Sequence, residues 1–338
     1  MTTSQQPSPD PSLDGARLHS PAVLVPSASM FAYPTRLGDA WNPQMLRLHL
    51  PPYELAAHDV FLPVQQEVTQ SLALAPGRWF KRFVSSLRPK LIRQDVSLYD
   101  ARYDADGNVA HILTNIAPPV LAAQRHYPDL TVILRARASS MAQRAYELLG
   151  IPFICTDQVV QGRMSALPCG SHSYYGGLYP SIFRDRAFDG YQEKTPERIF
   201  IARKGSRRLL NEADVEAALQ SYGFQKFYFE DIPIAQQWSL VRNAHVVVAT
   251  HGAAMAGLVF NQRSAKVVEL FHPGYVVNQY RTITGVIGGQ WCGVMGQLPS
   301  GIIQALDIDE DARRFAMDPV RIDLGSLEEA LATLAVER

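Results

Sequence analysis

Residues 245–260 read HVVVATHGAAMAGLVF. The first six, His245 to Thr250, make an apolar, β-branched run of the length of a strand buried on both faces. The run breaks at His251-Gly252 and resumes as small residues compatible with a helix. This predicts a strand, a tight turn and a helix, the repeating unit of an open parallel sheet. Backbone N–H groups at such a helix start carry partial positive charge and hold phosphate, and Gly252, Ala253 and Ala254 leave room for a ligand to approach. Without a ligand, the same residues would be a tightly packed strand-helix joint.

Upstream stands Arg203-Lys204-Gly205-Ser206-Arg207-Arg208-Leu209-Leu210-Asn211-Glu212. Arg198 to Ala202 before it reads as a strand, and Asn211 to Tyr222 after it as an amphipathic helix with Asn211 as N-cap. Loops that follow the strands of an open parallel sheet converge on one crevice, so this cationic loop and the His251-Gly252 loop are expected to face one ligand. The planar guanidinium fork matches phosphate oxygens, which makes Arg203, Arg207 and Arg208 candidates for gripping a diphosphate. The alternative is a solvated basic turn.

The order of these pieces, strand, Arg203, GSRR, LLNE, helix, Gly223-Phe224, strand, Glu230, Gln236, helix, Asn243-Ala244, HVVVAT, HGAAMAGLVF and VVEL, resembles the catalytic region of glycosyltransferase family 61 (DUF563-like), which includes bacterial capsule and exopolysaccharide enzymes. The likeness runs from Arg198 to Leu270. A second likeness, from Gly107 to Pro119, resembles a segment that family members often write G-N-x-x-H-[FW]-L-x-[DE]-x-L-P-R. The chain departs from the family at Asn115, where an acid is usual, at Pro119, where Arg is usual, and at Ala256-Gly257, where Thr-Asn is common. The resemblance implies a GT-B architecture, with a nucleotide-sugar donor held by the C-terminal domain and the acceptor by the N-terminal one.

Length and composition bound the reading independently. With 338 residues, 47% hydrophobic and 19% charged, the chain has enough apolar content for two cores of roughly 150 residues each. Thirty-two cations against thirty-two acids give a formal net charge of zero, which argues against a broad nucleic-acid footprint. Cys155, Cys169 and Cys292 are odd in number and show no CxxC spacing, so neither a disulfide framework nor a zinc site is indicated. The polar, Pro-rich start MTTSQQPSPDPSLDG lacks the features of a signal peptide, and no stretch reaches the roughly 18 apolar residues of a membrane span. A cytoplasmic protein is expected, one that meets any membrane-bound glycan peripherally, from the inner face.

Along the chain, residues 1–20 read as a disordered tail and 21–165 as an N-terminal Rossmann-like acceptor domain. Residues 166–195 read as the interdomain crossing, overlapping a Gly- and Pro-rich, loop-like stretch at 157–190 that is the best candidate for it. Residues 196–325 read as a C-terminal Rossmann-like nucleotide-sugar domain and 326–338 as a terminal helix. Within the first domain, Gln94 to Tyr99 and Asn108 to Ile112 suggest a hairpin around the Asp-Gly turn, followed by a helix from Ile112, a strand at Leu130–Leu134, a helix at Ser140–Leu149 and a strand at Phe153–Cys155. Alternation of strand and helix predicts an α/β protein with two Rossmann-like domains facing across a cleft. No GxGxxG or GxxxxGK[ST] string occurs, which disfavours a dehydrogenase or a P-loop enzyme.

Inverting transfer needs a base for the acceptor hydroxyl and cations or dipoles for the departing diphosphate. Arg203, Arg207, Arg208, Asn211 and the amides of Gly252, Ala253 and Ala254 are the expected donor contacts, with Glu269 accepting ribose hydroxyls. The base is expected at His111, then Glu230, then His251, the last with the alternative of donating to a phosphate oxygen. Tyr174 and Asn115 are the acceptor-side candidates, Tyr174 because Gly and Ser surround an aromatic ring able to stack a sugar. The D-x-D strings at Asp104-Asp106 and Asp307-Asp309 read as turn acids, and neither metal nor cofactor is expected. Two other readings stand beside transfer from a nucleotide sugar to a glycan or lipid-linked glycan: a different group transferase, such as a pyruvyl transferase, and a non-catalytic binding partner.

Overall fold

The computed structural model describes residues 16–32, 45–62, 66–71, 91–102, 106–165, 167, 175–297 and 315–338. The chain divides into two compact units, Met1–Pro21 with Ala57–Tyr175, and Ala22–Ala56 with Gly176–Arg338. It is a mixed α/β protein in which each unit is built around its own largely parallel sheet.

The larger unit holds a seven-stranded sheet in the order Gln225–Tyr228, Arg198–Ala202, Val246–Thr250, Lys266–Phe271, Gln290–Met295, Ala28–Ala32, Leu46–Leu50. All neighbours are parallel except the last pair. Val246–Thr250 is buried along its whole length, as its unbroken apolar run requires of a central strand covered on both faces. On one face the terminal helix Leu324–Thr333 packs its Leu327, Ala330 and Leu331 into a cluster with Phe200, Val248 and Val268. Elsewhere in the unit, Trp238, Phe260, Phe188 and Phe183 pack mostly edge to face, with ring centroids 4.7–5.7 Å apart.

The order of the strands marks one candidate place for a ligand. Arg198–Ala202 is first of the C-terminal strands in sequence, and it lies between the second and the third. Chain connections therefore leave it in opposite directions, and the loops after Arg198–Ala202 and Val246–Thr250 flank the point of reversal, where open α/β sheets bind ligands.

The smaller unit has a five-stranded sheet in the order Phe153–Cys155, Thr131–Leu134, Leu91–Asp100, Val159–Met164, Gln66–Ser71, parallel except for the final pair. Helix Ser140–Leu148 begins at Ser139, whose side chain accepts from the Ala142 N–H, and ends before Gly150 at φ 65°.

Several expectations change. Residues 22–56 do not join the N-terminal domain; they add the last two strands of the C-terminal sheet, and residues 176–195 also belong to that unit. Ala16–Ser20, read as tail, pairs antiparallel with His58–Leu62. The stretch taken as a crossing contains the strand Val159–Met164 and the helix Tyr179–Phe183. No hairpin forms around Asp-Gly: the Asn108 side chain accepts from the Ala110 N–H and caps a helical segment, with Ile112–Ile116 wound as a π-turn and Ala117–Ala123 as α-helix. Asn is among the best N-cap residues, and here capping prevails over the turn signal. Among the described residues, no helix is long and apolar enough to cross a membrane.

Candidate active site

Four cations follow the Arg198–Ala202 strand, and the structure sorts them. Lys204 pairs with Asp231 at 2.5 Å on the surface. Arg208 is exposed, and its side chain has no described partner. Arg203 and Arg207 instead converge on one atom, the His251 carbonyl oxygen, with Nη1 distances of 2.9 and 3.3 Å. Among the described residues neither has a carboxylate within ion-pair distance. Burial, and then the Arg203 charge, pulls the Arg207 guanidinium below its ordinary pKa range. Two guanidiniums side by side repel each other, and an anion placed between them would offset that charge.

Backbone geometry supports that arrangement. Arg207 has φ 60°, a left-handed conformation that costs a non-glycine residue roughly 1–2 kcal/mol, and its N–H donates to the Met317 carbonyl at 3.0 Å. Gly252 is needed for a different reason. A Cβ there would stand 2.4 Å from Arg203 Nη1, so only glycine lets the guanidinium lie against the turn. Ala253–Phe260 then runs as the expected helix, wound as a 3₁₀-helix. Ala253 is exposed and Ala254 half-buried at its start, while Ala256 and Gly257, where the family commonly has Thr-Asn, are buried, Gly257 against Trp238 and Val241.

The His251 side chain turns away from its own carbonyl contacts into a buried pair. Its Nδ1 lies 2.5 Å from Oε1 of Glu269, whose other oxygen accepts from Trp291 Nε1 at 2.8 Å. Glu269 is fully buried with both oxygens engaged, so it orients His251 rather than accepting ribose hydroxyls as expected. Burial pushes its carboxyl above the usual range, while the bonds from His251 and Trp291 act the other way. The imidazole is boxed by the rings of Phe271, Tyr275 and Tyr280, with centroids 5.3–5.5 Å away, and Arg207 lies over Tyr275 at 5.2 Å.

Trp291 was not legible as a site residue, although a local signal exists. Gly293 pairs with Glu269 across the sheet, and a Cβ on Gly293 would come within 2.7 Å of the Trp291 ring. The W-x-G spacing thus makes room for the indole to reach a carboxylate on the next strand. Other buried polar atoms near these strand ends lack partners among the described residues: Thr250 Oγ1, Arg207 Nε and His272 Nε2. His272 Nδ1 accepts from the Gly274 N–H at 3.0 Å, so its proton sits on Nε2, and burial holds its pKa below the ordinary histidine range.

The remaining candidates lie elsewhere. Asn211 occupies the N-cap position but makes no cap bond, because its amide donates to the Ile322 carbonyl at 2.8 Å and accepts from the Ile322 N–H at 3.0 Å. It clamps two chain segments instead of touching a donor. Asn211→Ala is expected to lower folded stability by about 1–3 kcal/mol in a denaturant titration, with nucleotide affinity of the folded protein unchanged. Glu230 is exposed on the turn Phe229–Asp231. His111 and Asn115 belong to the smaller unit, where Asn115 Nδ2 lies 3.0 Å from His111 Nδ1. Asp106 holds Arg135 through its backbone N–H at 2.7 Å. Tyr174, Asp104, Asp307 and Asp309 lie outside the described residues.

A family model, Glycosyltransferase 61, matches residues 77–268, more than half of the chain. The chain belongs to glycosyltransferase family 61. It is a glycosyltransferase. No curated protein matches it. Two solved structures of the iron-containing dodecameric glycosyltransferase TibC, one from enterotoxigenic E. coli and one of the heptosyltransferase with ADP-D-beta-D-heptose, are each 13% identical to this family 61 chain. They cover 77% and 76% of it, and it covers 78% and 76% of them, with a TM-score of 0.33 in both cases.

Proposed function

We propose that this family 61 enzyme transfers a sugar, with inversion and without a metal, from a nucleotide-sugar donor to a glycan or lipid-linked glycan in polysaccharide synthesis. The observation that carries the reading is the convergence of Arg203 and Arg207, which have no carboxylate partner among the described residues, at the turn where the sheet order reverses. A glycosyl donor leaves a nucleoside diphosphate, and two guanidinium forks beside a helix start offset that charge at the moment the bond breaks. Because they supply two positive charges, no divalent cation is needed for departure. The GT-B arrangement, with the donor on the larger unit and acceptor contacts on the smaller, belongs to the same proposal, as does a cytoplasmic location at the inner face of the membrane.

The acceptor hydroxyl still needs a base, a contribution of about 10² to 10⁴ in rate. His111, steadied by Asn115, and the exposed Glu230 remain the candidates for it, while His251 is committed to the diphosphate side. The test is nucleotide release from a panel of UDP-, GDP- and CMP-sugars in the presence of EDTA. Release from one donor class that persists in EDTA and disappears in Arg203→Ala is expected. Abolition by EDTA would overturn the metal-free step, and full release by Arg203→Ala would overturn the site.

A further inference from the structure

The His251–Glu269–Trp291 chain does more than hold a ring, and its proton inventory shows why. Trp291 Nε1 can only donate, so Oε2 of Glu269 must accept. At 2.5 Å, Oε1 and His251 Nδ1 share one proton between them. The pair therefore exists in two states: with one proton it is anionic and Nε2 is bare, and with two it is neutral and Nε2 carries N–H. No described group hydrogen-bonds Nε2, and the His251 side chain keeps 6% of its surface exposed, so this nitrogen is left for a ligand.

The charges around the pair decide between the states. Arg203 and Arg207 come from the loop after Arg198–Ala202, and both touch the His251 carbonyl. Tyr275 and Tyr280 pack against the imidazole, and burial holds the Tyr280 hydroxyl neutral. Phe271 and Trp291 carry no charge. His272 follows the same strand as Glu269, with Asp318 and Arg207 acting on it in opposite directions. Burial of Glu269 opposes the anionic pair, while the two guanidiniums resting on the His251 carbonyl favour it. A donor's pyrophosphate carries one negative charge per phosphate and so cancels the two cations, and the free nucleoside diphosphate carries more; either way the influence favouring the anionic pair is removed and the second proton is favoured.

Resting on the diphosphate reading above, we propose that His251 is a proton-loaded contact to the donor's diphosphate: binding draws one proton onto the His251–Glu269 pair, and Nε2 then donates to a phosphate oxygen. Glu269 and Trp291 are positioning residues in this step. Burial of Glu269 acts in the same direction, since it disfavours the anionic state whenever the guanidiniums are neutralised.

The experiment is calorimetric titration of UDP, GDP, CDP and ADP into the full chain near pH 7, in buffers of different ionisation enthalpy. Wild type is expected to take up a measurable fraction of one proton per nucleotide bound. His251→Asn and Glu269→Gln should bind with little or no uptake. Trp291→Phe removes one donor to the carboxylate, so the pH window of uptake should move upward, a shift that lost packing alone would not give. Binding by wild type without proton uptake, or uptake that survives in both His251→Asn and Glu269→Gln, overturns the proposal while leaving the nucleotide site standing. Failure of all four nucleotides to bind removes the diphosphate reading itself, and this step with it.

Discussion

Arg207→Gly is expected to keep or slightly raise folded stability while weakening donor-nucleotide binding roughly 100-fold. The two effects come from separate parts of the residue. Its backbone sits at φ 60°, where glycine is unstrained, so the substitution relieves a penalty of roughly 1–2 kcal/mol that glycine's greater freedom in the unfolded chain partly offsets. Its guanidinium, poised at 3.3 Å from the His251 carbonyl with no carboxylate partner among the described residues, is the group proposed to hold phosphate. Charge-assisted hydrogen bonds contribute about 1.5–3 kcal/mol each, and tenfold in affinity corresponds to about 1.4 kcal/mol. Thermal melts and nucleotide titrations on one preparation separate the two. Equal affinity in the variant would show that Arg207 is held in its strained conformation for some purpose other than the anion.

Gly252→Ala should produce the second large effect without unfolding the protein. Gly252 has φ 169°, extended backbone open to any residue, so the methyl group acts only through contact. It would stand 2.4 Å from Arg203 Nη1 and 3.1 Å from its Cζ, and the flexible end of that side chain is what has to move. The guanidinium then leaves the His251 carbonyl and the proposed anion site loses one of its two cations. Turnover is expected to fall on the order of 100-fold, as for one lost electrostatic contact to a leaving group, with the melting temperature almost unchanged. Adding Arg203→Ala to Gly252→Ala should cost little more, because both changes remove the same interaction. Additive losses in that pair would mean that Gly252 serves the ligand directly, through its own amide, rather than through Arg203.

The convergence of the two short loops of the candidate site was legible because its signals are local. Arg203 and Arg207 follow a β-branched run, His251 and Gly252 follow another, and loops after parallel strands converge by topology. What surrounds His251 was not legible, since Trp291, Tyr275 and Tyr280 meet it only through sheet register and helix packing across tens of residues. Glu269 was visible as an acid at a strand end, but its burial and its Trp291 partner were not, and these turn a supposed ribose contact into a positioning residue. Asn211 misled in a related way: the residue type suits an N-cap, yet Ile322, more than a hundred positions later, supplies better partners. The same limit applies to the fold. Residues 22–56 complete a sheet whose other strands begin at Arg198, and no periodicity within the segment records that pairing.

The most direct measurement is a structure of the chain with a nucleoside diphosphate bound. Its β-phosphate is expected within hydrogen-bond reach of Arg203, Arg207 and the amides that open the Ala253–Phe260 turn, with His251 Nε2 on a phosphate oxygen. A nucleotide seated anywhere else, with both guanidiniums still resting on the His251 carbonyl, would contradict the account.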